Sequence, residues 1–348
     1  MRRWLTCLLL LAAGGCAAPV PRPATPASYT NPVLDADFPD PSVIRAPDRF
    51  YYAYATQTQR GGKWLNIQVA RSPDLVHWQH LGDALPAKPA WATATQDFWA
   101  PDVIRDGPRY IMYYSAKPNG TDERHGLCLG IATASSPAGP FTDIGRPLKC
   151  GQGFVNIDPH AFDDPATGKR LLYWGSGFKP IKVQELGRDR MSFAEGSAAN
   201  DLVSPNPLKD AFPVLVEGAW VTRHGDFYYL FYSGDNCCGA KANYAVMVAR
   251  SKSATGPFET LEQATGKPHS IILEKRGYWI APGHNSVITD SAGNDWMVYH
   301  AVDSRRPREK ASDEINTRRV MLIDRIRWVD GWPIVDGPSS NPEEGPVP

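Results

Sequence analysis

An excess of charge of either sign is missing from this 348-residue chain, in which 37 Lys and Arg stand against 37 Asp and Glu. Nucleic acids and anionic membrane surfaces both reward a large positive excess, so neither is an expected partner. Missing too is any apolar run approaching the ~20 residues that a bilayer-crossing helix needs. Cysteine is scarce, six in all, and no Cys-x-x-Cys or His-x-x-x-His spacing offers a zinc site. Long uninterrupted helices have little room, because 30 Gly and 32 Pro break the chain at short intervals. What remains is rich in rings: 11 Trp, 14 Tyr and 12 Phe supply a large core, and the frequent turns favour many short strands.

Residues 1–16, MRRWLTCLLLLAAGGC, read as an export signal, with two arginines, an apolar stretch and small residues before a cysteine. Ala13-Gly14-Gly15-Cys16 resembles a bacterial lipobox, which would put a lipid on Cys16 and make that lipid the only membrane contact. The alternative is cleavage near Ala18 and free secretion. Residues 17–30, rich in Pro and Ala, read as a tether. Of the remaining cysteines, Cys128 and Cys150 either pair in an oxidising compartment or stay as buried thiols, whereas adjacency disfavours a bridge between Cys237 and Cys238.

Five aromatic segments recur, starting at Tyr51, Tyr110, Leu171, Phe227 and Trp296, at intervals of 59, 61, 56 and 69 residues. Each follows a short apolar strand and a turn, and a third strand and an aromatic outer edge come after it. A four-stranded unit repeated five times predicts an all-β, five-bladed β-propeller over residues 31–339, with residues 340–348 as a tail.

Aligning the innermost strands on Val43, Val103, Ala161, Trp220 and Val287 puts Asp40, Ala100, Asp158, Glu217 and His284 three residues upstream. Equivalent positions of a propeller converge at one mouth of its channel, so three carboxylates and an imidazole are expected to meet. Like charges in a partly dry pocket repel, which a purely structural site has little reason to assemble. Glycoside hydrolysis does have a reason, since it needs one carboxyl protonated for the leaving oxygen and another ionised.

These blocks also resemble glycoside hydrolase family 43: Pro39-Asp40-Pro41-Ser42, Trp99-Ala100-Pro101-Asp102, Asn156-Ile157-Asp158-Pro159, Glu217-Gly218-Ala219-Trp220 and Gly283-His284-Asn285-Ser286. The resemblance implies the five-bladed propeller and an inverting hydrolase. It implies Asp40 as general base, Glu217 as general acid and Asp158 as the aspartate that orients the acid and raises its pKa. Glu217-Gly218-Ala219 departs from the Glu-Gly-Pro of many members but leaves the acid in place. Asn156, Trp99 and Phe98 are candidate substrate contacts, the two rings as sugar platforms or else as core. His284 matches a histidine that touches a central ion or its waters, or else only lines the channel; a Ca²⁺ ion is therefore conceivable, although the chemistry requires no cofactor. Arg318 or Arg319 is expected to reach a substrate hydroxyl or a catalytic carboxylate, or to lie on the surface. Residues 234–239 and the Gly283 block look closest to arabinan-active branches, so α-1,5-arabinan or arabino-oligosaccharides are the expected substrates, with β-xylosides or galactosides as alternatives. A catalytically silent sugar-binding propeller would have lost an acid or base, and the fructan-cleaving opening Trp-Met-Asn-Asp-Pro-Asn is absent.

Overall fold

A computed structural model describes residues 26, 28–120, 126–175, 177–208, 212–308 and 317–348. The expected export signal and Cys16 lie outside the described residues, as does most of the tether.

Five antiparallel sheets follow one another along the chain. Blade one holds Ser42–Arg45, Tyr51–Ala55, Gln68–Ser72 and Gln79–Asp83, and blade two holds Phe98–Asp106, Arg109–Ala116, Cys128–Ala134 and Thr142–Asp143. Blade three comprises His160–Asp163, Arg170–Trp174, Lys182–Glu185 and Asn200–Asp201. Blade four comprises Val216–His224, Phe227–Gly234, Ala245–Ser251 and Glu259–Thr260, and blade five Trp279–Thr289, Asp295–Asp303, Val320–Val329 and Trp332–Val335. The fold is the five-bladed propeller that the repeat predicts.

The aromatic second strands explain why it closes. A strand sends successive side chains to opposite faces. Here both faces are covered, so the segments read as continuous apolar runs rather than as alternating ones. Tyr52 and Tyr54 face blade two in one core cluster, while Tyr51, Ala53 and Ala55 face blade five in another. Tyr229 and Phe231 meet blade five, whereas Tyr228, Leu230 and Tyr232 meet blade three. A fifth cluster joins Ile111 and Tyr113 to Leu172 and Trp174 between blades two and three.

Blade five is tied to the N-terminal segment. The Asn31 side chain donates to Ile323 O at 2.9 Å and accepts from Ile323 N–H at 3.0 Å. Ser28–Tyr29, assigned to the tether from sequence, pairs with Glu343–Glu344, assigned to the tail, so the ordered fold extends past both sequence-based boundaries. Cys128 and Cys150 are disulfide-bonded, joining the third strand of blade two to Lys149–Cys150. Cys237 and Cys238 are bonded as well, against the expectation from adjacency: Asp235 at φ 67° and Gly239 at φ 76° turn the backbone tightly on either side of the pair.

Candidate active site

Within each innermost strand, or two residues before it, one residue lies in the left-handed region: Asp40 (φ 57°), Ala100 (45°), Asp158 (56°), Gly218 (60°) and His284 (47°). For a non-glycine residue this conformation costs roughly 1–2 kcal/mol, and four of the five accept it. The bends are held by the preceding blade. Ala100 N–H donates to Thr56 Oγ1 at 2.8 Å, Asp158 N–H to Ser115 Oγ at 3.0 Å, His284 N–H to Ser233 Oγ at 2.8 Å and Asp40 N–H to His300 Nδ1 at 3.1 Å. Blade three has Gly175 at the clasp position, its N–H bonded to Ile157 O at 3.0 Å. Lacking a side-chain acceptor there, Gly218 N–H donates to Asp158 Oδ2 at 3.0 Å instead.

These bends correct the sequence alignment in blade four. The residue equivalent to Asp40 and Asp158 is Gly218, because it is the one in the left-handed conformation. The buried anchor three residues on is Val221, whereas Trp220 is only partly buried. Glu217 therefore stands one place earlier, at the position of Pro39, Trp99, Ile157 and Gly283, and approaches the same cavity from a different backbone position.

That cavity, of about 1100 Å³, is lined by Asp40, Asp158 and Glu217 from three blades together with His284, Arg318 and Arg319 from the fifth. Asp40 accepts from Arg319 Nη1 at 2.9 Å and from Thr56 Oγ1 at 2.5 Å, with His300 Nδ1 3.2 Å and His284 Nδ1 3.4 Å from Oδ1. Burial alone would push its carboxyl up, but the polar groups around it, the Arg319 guanidinium first among them, outweigh burial and hold it well below the usual carboxylate range. Arg319 acts on Asp158 too, but there its charge is the smallest of the main influences. Burial lifts Asp158 first, and the charges of Glu217 and Asp40 add to that, so the Asp158 and Glu217 pair keeps a proton well above the ordinary carboxylate range. Glu217 Oε1 accepts from Tyr244 Oη–H at 2.7 Å. Burial lowers His284, against the opposing charge of Asp40, and brings His300 down to about 4, so both rings are neutral near pH 7.

Of the sequence candidates, Trp99 lines the cavity but Phe98 does not serve it. Phe98 is fully buried in the core between blades one and two and stacks on Tyr114, the opposite of a sugar platform. Alternation decides this, since neighbours on one strand face opposite ways. Asn156 is 3% exposed and packed close to Gly151, behind the cavity wall rather than on it. Arg319 reaches Asp40, while Arg318 pairs with Asp35. Both precede Val320–Val329, the third strand of blade five rather than an inner one. His284 faces two aspartates, 3.4 Å from Asp40 and 3.9 Å from Asp158. Among the described residues no three His, Cys, Asp or Glu side chains could together hold a metal ion. A single imidazole is a poor match for a hard, oxygen-seeking Ca²⁺.

Sequence reasoning missed Thr56, Tyr244 and His300. A signal for Tyr244 exists: it stands two residues before Val246, the partner of Ser233, as Arg319 stands two before Met321, the partner of His300. Blade two has Leu127 at that place, two before Leu129, the partner of Ser115. The walls add Trp64, Phe154, Phe178 and the Cys237 and Cys238 pair.

The family model for glycosyl hydrolases family 43 matches residues 29–333. A relative from Aspergillus flavus described as a probable arabinan endo-1,5-α-L-arabinosidase A is 28% identical, over 90% of this chain and 96% of its own. An extracellular exo-α-(1→5)-L-arabinofuranosidase from Cellvibrio japonicus is 27% identical, over 96% and 92%. The crystal structure of a thermostable family-43 glycoside hydrolase superposes with a TM-score of 0.73 at 30% identity, covering 91% of this chain and 99% of that one.

Proposed function

The chain belongs to glycosyl hydrolases family 43, and from that premise we propose that it cleaves α-L-arabinofuranosidic bonds of arabinan or arabino-oligosaccharides with inversion at the anomeric carbon. The observation that carries this reading is the convergence of three carboxyls on one cavity in unlike surroundings: Asp40 lies 2.9 Å from Arg319 Nη1 and is held ionised, while burial and the neighbouring charge of Glu217 lift the Asp158 carboxyl well above the ordinary range. Two titratable sites pushed apart by their surroundings are what an acid and a base require.

In the proposed reaction a water on one face of the sugar gives its proton to Asp40 as its oxygen bonds to the anomeric carbon. The bond from that carbon to the leaving oxygen breaks on the other face, and Glu217 supplies the proton that the leaving oxygen takes up. Asp158, fixed by Gly218 N–H, keeps the acid oriented and its proton in place. No step needs a metal, and none is routed through one. Linkage and substrate rest on the arabinan-directed relatives, and export with lipid attachment at Cys16 rests on the leader sequence and on one relative's extracellular description.

Debranched arabinan, xylo-oligosaccharides and aryl arabinofuranosides, compared with NMR of the first-released anomer, test this reading. The expected result is cleavage of the arabinan and release of the β-anomer. Release of the α-anomer, or turnover of xylosides alone, would overturn it.

Trp64 and Phe178 line the same cavity yet remain 49% and 57% exposed, and rings in that state suit the apolar faces of sugar units beyond the scissile bond. Trp64→Ala is expected to raise KM for a hexasaccharide roughly fivefold, equivalent to about 1 kcal/mol of lost ring contact. Steady-state kinetics on a disaccharide should show a much smaller rise. Equal effects at both lengths would remove Trp64 from chain binding.

A further inference from the structure

Four of the five bends around the cavity are clasped by a side-chain acceptor, and one of these acceptors is unlike the other three. Blades one, two and four use a hydroxyl, from Thr56, Ser115 and Ser233, whereas blade five uses His300 to hold Asp40. A hydroxyl would suffice to accept one N–H. The imidazole brings in addition a flat face, and against it lies the Tyr244 ring, with centroids 5.8 Å apart and planes within 5° of parallel. The far end of Tyr244 donates its hydroxyl to Glu217 Oε1 at 2.7 Å.

Chemistry and space support this arrangement. His300 is neutral, and because Nδ1 accepts from Asp40 N–H, its proton sits on Nε2. Burial above all raises the Tyr244 hydroxyl well above its ordinary value, so it remains an O–H donor. The slot for Tyr244 exists only because residue 283 is glycine: a Cβ there would lie 2.0 Å from the ring. Gly283 is also the strand partner of His300, so both rings are fixed by one register.

We propose that Tyr244 and His300 are positioning residues that act as one rigid brace between the two halves of the reaction, with His300 setting the backbone of Asp40 and Tyr244 setting the carboxyl of Glu217. Through Tyr244 one oxygen of Glu217 is occupied, which leaves the other to carry the proton toward the leaving group. Once that proton has gone, the Tyr244 O–H supports the carboxylate left behind. This inference rests on the acid and base assignments above.

Tyr244→Phe keeps the stack and removes only the hydroxyl. The expected result is a kcat on arabino-oligosaccharide lowered about tenfold, a fraction of the 10²–10⁴ that a general acid supplies, with KM little changed. The loss should shrink as the leaving-group pKa falls across a series of aryl arabinofuranosides, because a good leaving group depends less on the acid. His300→Thr supplies the hydroxyl used in blade one and removes the ring, and a comparable loss of kcat is expected. Wild-type kcat and leaving-group dependence in Tyr244→Phe would overturn the brace, as would full activity in His300→Thr. If His300→Thr does not fold, Tyr244→Phe alone decides. Glu217→Gln, measured alongside, keeps the two readings separate: normal oligosaccharide turnover in that variant refutes the acid assignment itself, whereas its loss beside an unaffected Tyr244→Phe refutes only the brace.

Discussion

Asp40→Asn is expected to lower kcat by about 10³-fold on oligosaccharides and on activated aryl glycosides alike, within the 10²–10⁴ range of a positioned base. An amide cannot take a proton from water, and the water must be activated whatever the leaving group is. The loss should therefore be flat across a leaving-group series. Folding is expected to survive, because the clasp on residue 40 is made by its backbone N–H to His300, which the substitution leaves alone. The amide oxygen can still accept from either Thr56 or Arg319. Losing the charge opposite the largely buried guanidinium should cost about 1–3 kcal/mol, as for a weakened charged hydrogen bond. A thermal melt together with single-turnover kinetics separates the two effects. A variant with a normal melt and near wild-type turnover would remove Asp40 from the reaction.

The architecture was legible because it depends on a coarse, repeated property. A blade sandwiched between two others must be apolar on both faces, so runs such as Phe227 to Tyr232 stand out at a regular interval whatever their individual residues. The site was legible one residue less finely. Asp40 and Asp158 are followed by proline and precede their anchors by three, but in blade four the bend fell on Gly218, and a glycine gives no hint that it rather than its neighbour is the equivalent. Alternation likewise separates Trp99 from Phe98, and strand phase is decided by which face meets which blade, something neither residue type reveals. Tyr244 lay hidden for another reason. It reads as one more core aromatic, and only the register beside Ser233 and His300 shows that its place matches that of Arg319, so that two successive blades deliver the partner of the acid and the partner of the base from one structural position.

Glu217→Gln is expected to leave a pattern opposite to that of Asp40→Asn. Glutamine keeps the size of the side chain and an oxygen for the Tyr244 hydroxyl, so the fold and the cavity should persist. What is lost is the proton for the departing oxygen. Turnover of an unactivated oligosaccharide should fall by about 10³-fold, near the full contribution of an acid, while a dinitrophenyl arabinofuranoside, whose phenolate departs unaided, should lose far less. Asp158 supplies the second half of the argument. Burial, then the like charges of Glu217 and Asp40, lift the Asp158 carboxyl well above the ordinary carboxylate range, and the same repulsion runs from Asp158 to Glu217. Asp158→Asn removes that like charge, so Glu217 should release its proton at a lower pH than in the wild type, and the alkaline limb of the pH–rate profile should move down. With Glu217→Gln that limb should vanish, since glutamine has no proton to lose in this range. An alkaline limb unmoved in Asp158→Asn and persisting in Glu217→Gln would mean that some other group donates the proton, and the division of labour among the three carboxyls would have to be redrawn around that group.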